Sequence, residues 1–105
     1  MKNIFKDIPD CLHEELIERI GGDTEAVKIE RIVSHEHSSP PDFWYDQDKN
    51  EFVIVLKGKA GISFKDRDEI LTMSKGDYLD IPAHTLHRVE WTSDEEDTLW
   101  LAIHY

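Results

Sequence analysis

The alternation of hydrophobic and polar positions changes period once along this chain. Leu12, Leu16, Ile17 and Ile20 recur at helical spacing, with Glu14, Glu15, Glu18 and Arg19 on the other side. Asp10 stands where a helix N-cap belongs and Gly21-Gly22 where a helix stops. So short a helix is not stable alone and is expected to pack against the remainder. After the glycines the period becomes two. Val27, Ile29, Val33, His35 and His37 share one parity, broken by Arg31, while Lys28, Glu30 and Ser34 share the other. Ser38-Ser39-Pro40-Pro41 ends this strand, because proline has no N–H to give to a ladder. A loop rich in aromatic and acidic residues follows over 43–50. The run from Glu51 to Lys57 reads as a strand buried on both faces, through Phe52, Val53, Ile54, Val55 and Leu56. Further strands are expected over 60–65, 69–73, 78–81, 86–92 and 98–105. They are separated by turns at Gly58-Lys59 and Asp66-Arg67-Asp68 and by the acidic hairpin tip Ser93-Asp94-Glu95-Glu96-Asp97. Many short strands with closely spaced turns predict an all-β sandwich or barrel. The expected organisation is a helical extension over 1–25 and a barrel over 26–105, together one domain.

Composition narrows the partners. A chain of 105 residues builds one modest core. Its net charge of −11 would repel phosphates, which argues against nucleic acid and against an anionic membrane surface. The same acidity serves solubility. Cys11 is the single cysteine, so neither an intrachain disulfide nor a cysteine-rich zinc site can form. The residues from Met1 to Asp7 carry no apolar core or cleavage pattern of a secretory signal, and no stretch approaches membrane-spanning length. A cytoplasmic protein is expected.

The candidate chemistry lies in His35-Glu36-His37, Glu51 and His87. On strands, His35 and His37 point to one face. Glu51 shares parity with Val53 and Val55, and His87 with Val89 and Trp91, so all four side chains are able to enter one interior. Three imidazoles and a carboxylate offered by different strands suit one divalent transition metal: Fe(II), Mn, Ni, Co or Zn. Singly, each has an ordinary structural role: an exposed loop pair, a charge at a strand entry, a hydrogen-bonded core histidine. The Phe43-Trp44-Tyr45 cluster reads as packing under the loop or at an interface, with a lid or stacking wall as the functional alternative. Arg31 or Arg88 would clamp a substrate carboxylate if it faced the interior, and would otherwise form a surface ion pair.

These residues resemble the cupin superfamily from about Ile29 to Tyr105. Its first motif is a leading Gly, His-x-His, a short gap, Glu, six residues and Gly; here His35-Glu36-His37 and Glu51 through Gly58 carry the likeness. Its second is Gly, five residues, Pro-x-Gly, two residues, His, and an Asn soon after; Gly76 through Pro82 and His87 match it. The resemblance implies a small jelly-roll β-barrel with metal ligands His35, His37, Glu51 and His87. Ile29 replaces the leading Gly, His84 the glycine of Pro-x-Gly, and Trp91 the Asn. Thirteen residues separate His37 from Glu51, where the family has three or four, which reads as an aromatic insertion at the pocket mouth. Gln47, Asp46 and His84 are the substitutes if a ligand drops out, and Tyr45 is a further pocket candidate. The expected function is a metalloenzyme of dioxygenase or isomerase type acting on a small organic molecule. No separate general acid or base is identified beyond Tyr45, Asp46 and His84. The alternatives are a non-catalytic small-molecule binding or sensing barrel and a structural barrel with a vestigial site. A homodimer through exposed strand edges is expected.

Overall fold

The computed structural model describes residues 1–22 and 24–105. Its eight strands are β1 (Leu16–Gly21), β2 (Lys28–Ser34), β3 (Glu51–Lys57), β4 (Lys59–Phe64), β5 (Ile70–Ser74), β6 (Tyr78–Ile81), β7 (His87–Thr92) and β8 (Thr98–His104). They form a five-stranded sheet in the order β1-β2-β8-β3-β6 and a three-stranded sheet in the order β5-β4-β7. All the pairings are antiparallel. This is the all-β double-sheet barrel the alternation predicts, with most strand bounds within a residue or two of those expected.

The inner faces meet in one core. Val53 and Val55 of β3, Ile81 of β6 and Trp100 and Ala102 of β8 pack against Ala60, Ile62 and Phe64 of β4 and Met73 of β5. Between β3 and β4 the chain reverses at Gly58, whose φ of +82° belongs to the left-handed region. A Cβ there would come within 2.6 Å of Thr98 Oγ1 and 2.7 Å of Thr98 Cα. Only glycine fits that turn.

One expected element is overturned. No helix is present among the described residues, and Leu16–Gly21 is an edge strand on β2. The helical spacing of Leu12, Leu16, Ile17 and Ile20 is outweighed by a tertiary partner, since an isolated helix of this length gains little and β2 offers a free ladder. Glu18 and Arg31 are cross-strand partners. Arg31 is buried, its Nε donates to Glu18 Oε1 at 2.8 Å, and its guanidinium also donates to the carbonyls of Ile4 (3.2 Å), Lys6 (2.6 Å) and Asp7 (3.3 Å). Arg31 thus ties the N-terminal segment to the outer face of β2 and does not reach the interior. Arg88 pairs with Glu90 at 3.0 Å and lies 6.0 Å from the Trp44 ring. No helix among the described residues is long and apolar enough to cross a membrane.

Candidate active site

The residues that open into the barrel are set by register. Glu51 of β3 lies opposite His104 of β8 and opposite Ile81 of β6. Glu30 of β2 lies opposite Ala102, one step along the same face of β8. At β7, His87 starts the strand and is bridged in antiparallel fashion by Tyr45. Tyr45 N donates to His87 O at 2.8 Å and His87 N to Tyr45 O at 3.3 Å, while His84 N donates to Gln47 O at 2.8 Å. Residues 45–47 therefore run as an extension of the sheet beside residues 84–87. The result is a cavity of about 120 Å³ walled by Tyr45, Gln47, Glu51, His87, Trp100 and His104, with Glu15 and Glu30 also on its lining.

His87 is the best-defined group in this cavity. Its side chain is 7 % exposed, and Nδ1 lies 2.8 Å from the Thr85 carbonyl, which holds the proton on Nδ1 and leaves Nε2 to the cavity. Nε2 sits 3.4 Å from Glu51 Oε1, on a carboxylate that is itself 12 % exposed. Burial disfavours the imidazolium, yet the hydrogen bond and charge of Glu51, with the Thr85 carbonyl, outweigh it and raise the His87 pKa above its ordinary value. Tyr45 stacks on the imidazole with ring centroids 5.6 Å apart and is braced edge-on by Phe43 at 4.9 Å. Burial raises the Tyr45 pKa first, and the charges of Glu15 and Glu51 add to it, so the phenol stays protonated at neutral pH. Across the cavity His104 Nε2 lies 2.8 Å from Glu30 Oε1.

The four residues expected as metal ligands are not brought together. Glu51 and His87 are neighbours, but His35 and His37 lie beyond the other end of β2. That strand ends at Ser34, and its cavity-facing residues are Glu30 and Ile32. His35 and His37 thus share the parity of Arg31 on the opposite face, beyond which Glu36, with a φ of +61°, breaks the alternation. His35 Nδ1 instead lies 3.1 Å from Asp97 Oδ1, and the His35 N–H donates to His37 Nδ1 at 2.9 Å. Thr92 Oγ1 donates to the His37 carbonyl at 2.6 Å. Among the described residues no three His, Cys, Asp or Glu side chains gather closely enough to hold a metal ion.

Of the expected substitutes, Gln47 and Tyr45 do line the cavity. His84 does not: its side chain is 63 % exposed and pairs with Asp46 at 2.7 Å. The insertion expected before Glu51 is also absent. Three residues before Glu51 end at Gln47, and Tyr45-Asp46-Gln47 falls where the motif has His-x-His, so the spacing is regular and nothing is inserted. The two imidazole positions are held by a phenol and an amide. Sequence reasoning also misses His104, Glu30 and Glu15. For the first, the signal is its parity with Trp100 and Ala102 on the last strand.

A small jelly-roll barrel is an architecture that several protein classes share, and the sequence decides which of them this chain belongs to. The cupin domain family matches residues 29–104, and the chain belongs to the cupin family. Among solved structures, a candidate mannose-6-phosphate isomerase of Ralstonia eutropha JMP134 is 41 % identical with a TM-score of 0.94, over 99 % of this chain and 95 % of that one. An RmlC-like cupin of Methanocaldococcus jannaschii shares the double-stranded β-helix fold at 15 % identity and a TM-score of 0.71, over 93 % and 85 %. The polyketide cyclase RemF of Streptomyces resistomycificus is 16 % identical with a TM-score of 0.73, over 88 % and 65 %. No curated protein matches the chain.

Against the family's metal site, the donors at the four motif positions are one imidazole, one carboxylate, one amide and one phenol. That set falls short of the three imidazoles and one carboxylate that hold a transition metal firmly.

Proposed function

We propose that this chain is an isomerase-type enzyme that moves a proton on a small hydroxy-carbonyl compound, with His87 as the base. The observation that carries this reading is the buried His87–Glu51 pair in the cavity, with Tyr45 stacked on the imidazole. His87 Nε2 in its neutral form takes a proton from the carbon beside the carbonyl. Glu51 stabilises the resulting imidazolium, and the protonated Tyr45 phenol donates to the oxygen on which charge develops. The imidazolium then returns the proton to the former carbonyl carbon, whose oxygen keeps the phenol's proton. The Tyr45 phenolate takes the proton of the neighbouring hydroxyl as it becomes the new carbonyl, which restores both residues. A relative named as a candidate sugar isomerase and another named as a cyclase both support proton-transfer chemistry on this scaffold. As part of the same reading, a second copy covers Ile17 and Ile20, which are exposed on edge strand β1. Light scattering in solution is expected to give the mass of a dimer.

The test uses hydroxyacetone in D₂O, followed by NMR. Wild-type protein is expected to exchange the proton beside the carbonyl faster than buffer, and His87→Gln to lose roughly 10²- to 10⁴-fold of that rate. Exchange no faster than buffer, or unchanged in His87→Gln, overturns the assignment.

A second reading is favoured by Gln47, whose Oε1 is buried without a hydrogen-bond partner. With His87 Nδ1 already engaged, His87 Nε2, Glu51 and Gln47 Oε1 would together hold a divalent cation. So oxygen-rich a set suits Mn over Zn. Elemental analysis of the purified protein separates the two: near one equivalent of metal, lost in His87→Gln, supports the second.

A further inference from the structure

We infer that the cavity is built for a small organic cation, a hydroxy-carbonyl compound that carries a protonated amine, and not for a sugar phosphate or a carboxylate. The carbonyl rests on the proton-transfer reading, whereas the preference for positive charge is independent of it. The charged and titratable groups facing the cavity are Glu15 ahead of β1, Glu30 on β2, the protonated phenol of Tyr45, Glu51 on β3, His87 on β7 and His104 on β8. None is a lysine or an arginine, although an anion in a low-dielectric cavity requires such a partner. Even with both imidazoles protonated, the three carboxylates leave the lining negative.

The carboxylates are also only partly engaged. Glu30 meets His104 through Oε1, Glu51 meets His87 through Oε1, and Glu15 has no cationic partner among these groups. Instead Glu15 Oε1 accepts a hydrogen bond from Ser34 Oγ at 2.7 Å, and Ser34 Oγ accepts one from Trp100 Nε1 at 3.2 Å. A second, separate observation points the same way. Gln47 Oε1 is a buried acceptor with no donor, so the missing group is one that carries N–H or O–H. An ammonium supplies three such donors and the missing positive charge together. The aromatic walls of Tyr45 and Trp100 favour a cation further, through the negative faces of their rings. A phosphate dianion brings only acceptors to a lining that already has a surplus of them.

The probes are aminoacetone, hydroxyacetone and pyruvate, which share a ketone and nearly the same size but carry charges of opposite sign or none. Inorganic phosphate is the fourth. All are titrated into ¹⁵N-labelled protein with a chelator present, and the Trp100 indole N–H is the reporter. Aminoacetone is expected to saturate at least roughly tenfold more tightly than hydroxyacetone, and pyruvate and phosphate to leave the signal unmoved. In Glu15→Gln and Glu30→Gln, both near-isosteric, the preference for aminoacetone is expected to shrink. Pyruvate or phosphate binding as tightly as aminoacetone overturns the inference. So does equal binding of the three ketones, or no shift with any probe. A titration with Mn²⁺ in place of the chelator that blocks aminoacetone stoichiometrically overturns it as well, since the charge then belongs to a metal. The wild-type series needs no variant to fold. Loss of hydroxyacetone exchange would sink the proton-transfer reading and leave this charge preference standing, whereas tight pyruvate binding would do the reverse.

Discussion

Strand β2 joins two histidine-bearing regions that look alike in composition and differ in almost everything physical. Beyond its C-terminal end, the His35 side chain is 41 % exposed, pairs with Asp97 and has His37 hydrogen-bonded to its own backbone. Near its other end, the His87 and His104 side chains are 7 % and 14 % exposed, and each faces a carboxylate inside the barrel. Both regions offer two imidazoles with an acid in reach. At the first, water screens the charges, so the pair contributes little. At the second, burial makes each charge dependent on its neighbours, and protonation becomes something the fold controls. A cluster of donors becomes a site only where strands hold it around a shared interior.

The largest effect that would test this contrast is on stability. Trp100 is 3 % exposed at the cavity wall, whereas Trp91, on the side of His35, is 38 % exposed. Trp100→Ala is expected to lose about 3–5 kcal/mol in urea unfolding, from the transfer of a large side chain and the hole it leaves. Trp91→Ala is expected to lose about 1 kcal/mol or less. Equal losses would mean that the two ends are packed alike and that the contrast is only one of exposure.

The next effect is on pH dependence. The folded His87 pKa is raised, so the native state holds this proton more tightly than the unfolded chain. The stability it contributes is complete below the unfolded value of about 6.5 and is lost as pH rises through the folded value. Activity runs the opposite way: the neutral imidazole is the base, so hydroxyacetone exchange is expected to rise with pH through the same raised pKa. Glu51→Gln removes the carboxylate charge that favours the imidazolium. An NMR titration of His87 is expected to move to lower pH in this variant, and the stability profile to flatten over the same window. An unmoved His87 titration would break the pairing on which the proposed chemistry stands.

Much of the barrel is legible in the amino-acid sequence alone. Alternation over 27–35, the apolar run Glu51 to Lys57 and the turns at Gly58 and Gly76 define it, because strand period and turn chemistry are local. Glu51 and His87 are legible because each sits at a fixed distance from one of those glycines. The strand nature of Leu16–Gly21 is not, since its partner β2 is set by tertiary pairing and its own spacing suits a helix equally well. The placing of His35 and His37 fails for a different reason. Parity tells which residues share a face and not which face is inward: His35 and His37 share the parity of Arg31 on the outer face, whereas Glu30 and Ile32 face the cavity. The regular spacing from Tyr45 to Glu51 is present in the sequence but carries no imidazole, since those positions hold a phenol and an amide.

The smallest expected effect bears most directly on the comparison. His35→Ala removes an exposed pair with Asp97 and is expected to change stability by less than about 0.5 kcal/mol. It is also expected to leave hydroxyacetone exchange and bound metal unchanged, because the His35 side chain faces Asp97 and is not among the residues lining the cavity. The measurement is a side-by-side assay of His35→Ala and His87→Gln for exchange rate, metal content and urea midpoint. If His35→Ala lost activity or metal together with His87→Gln, the segment after Ser34 would have to be placed differently in the working protein. His35 and His37 would then have to lie beside Glu51 and His87, and the contrast between the two regions would be lost. If only His87→Gln is affected, the imidazoles that matter are those that the sheets, and not the spacing of the histidines, bring into one interior.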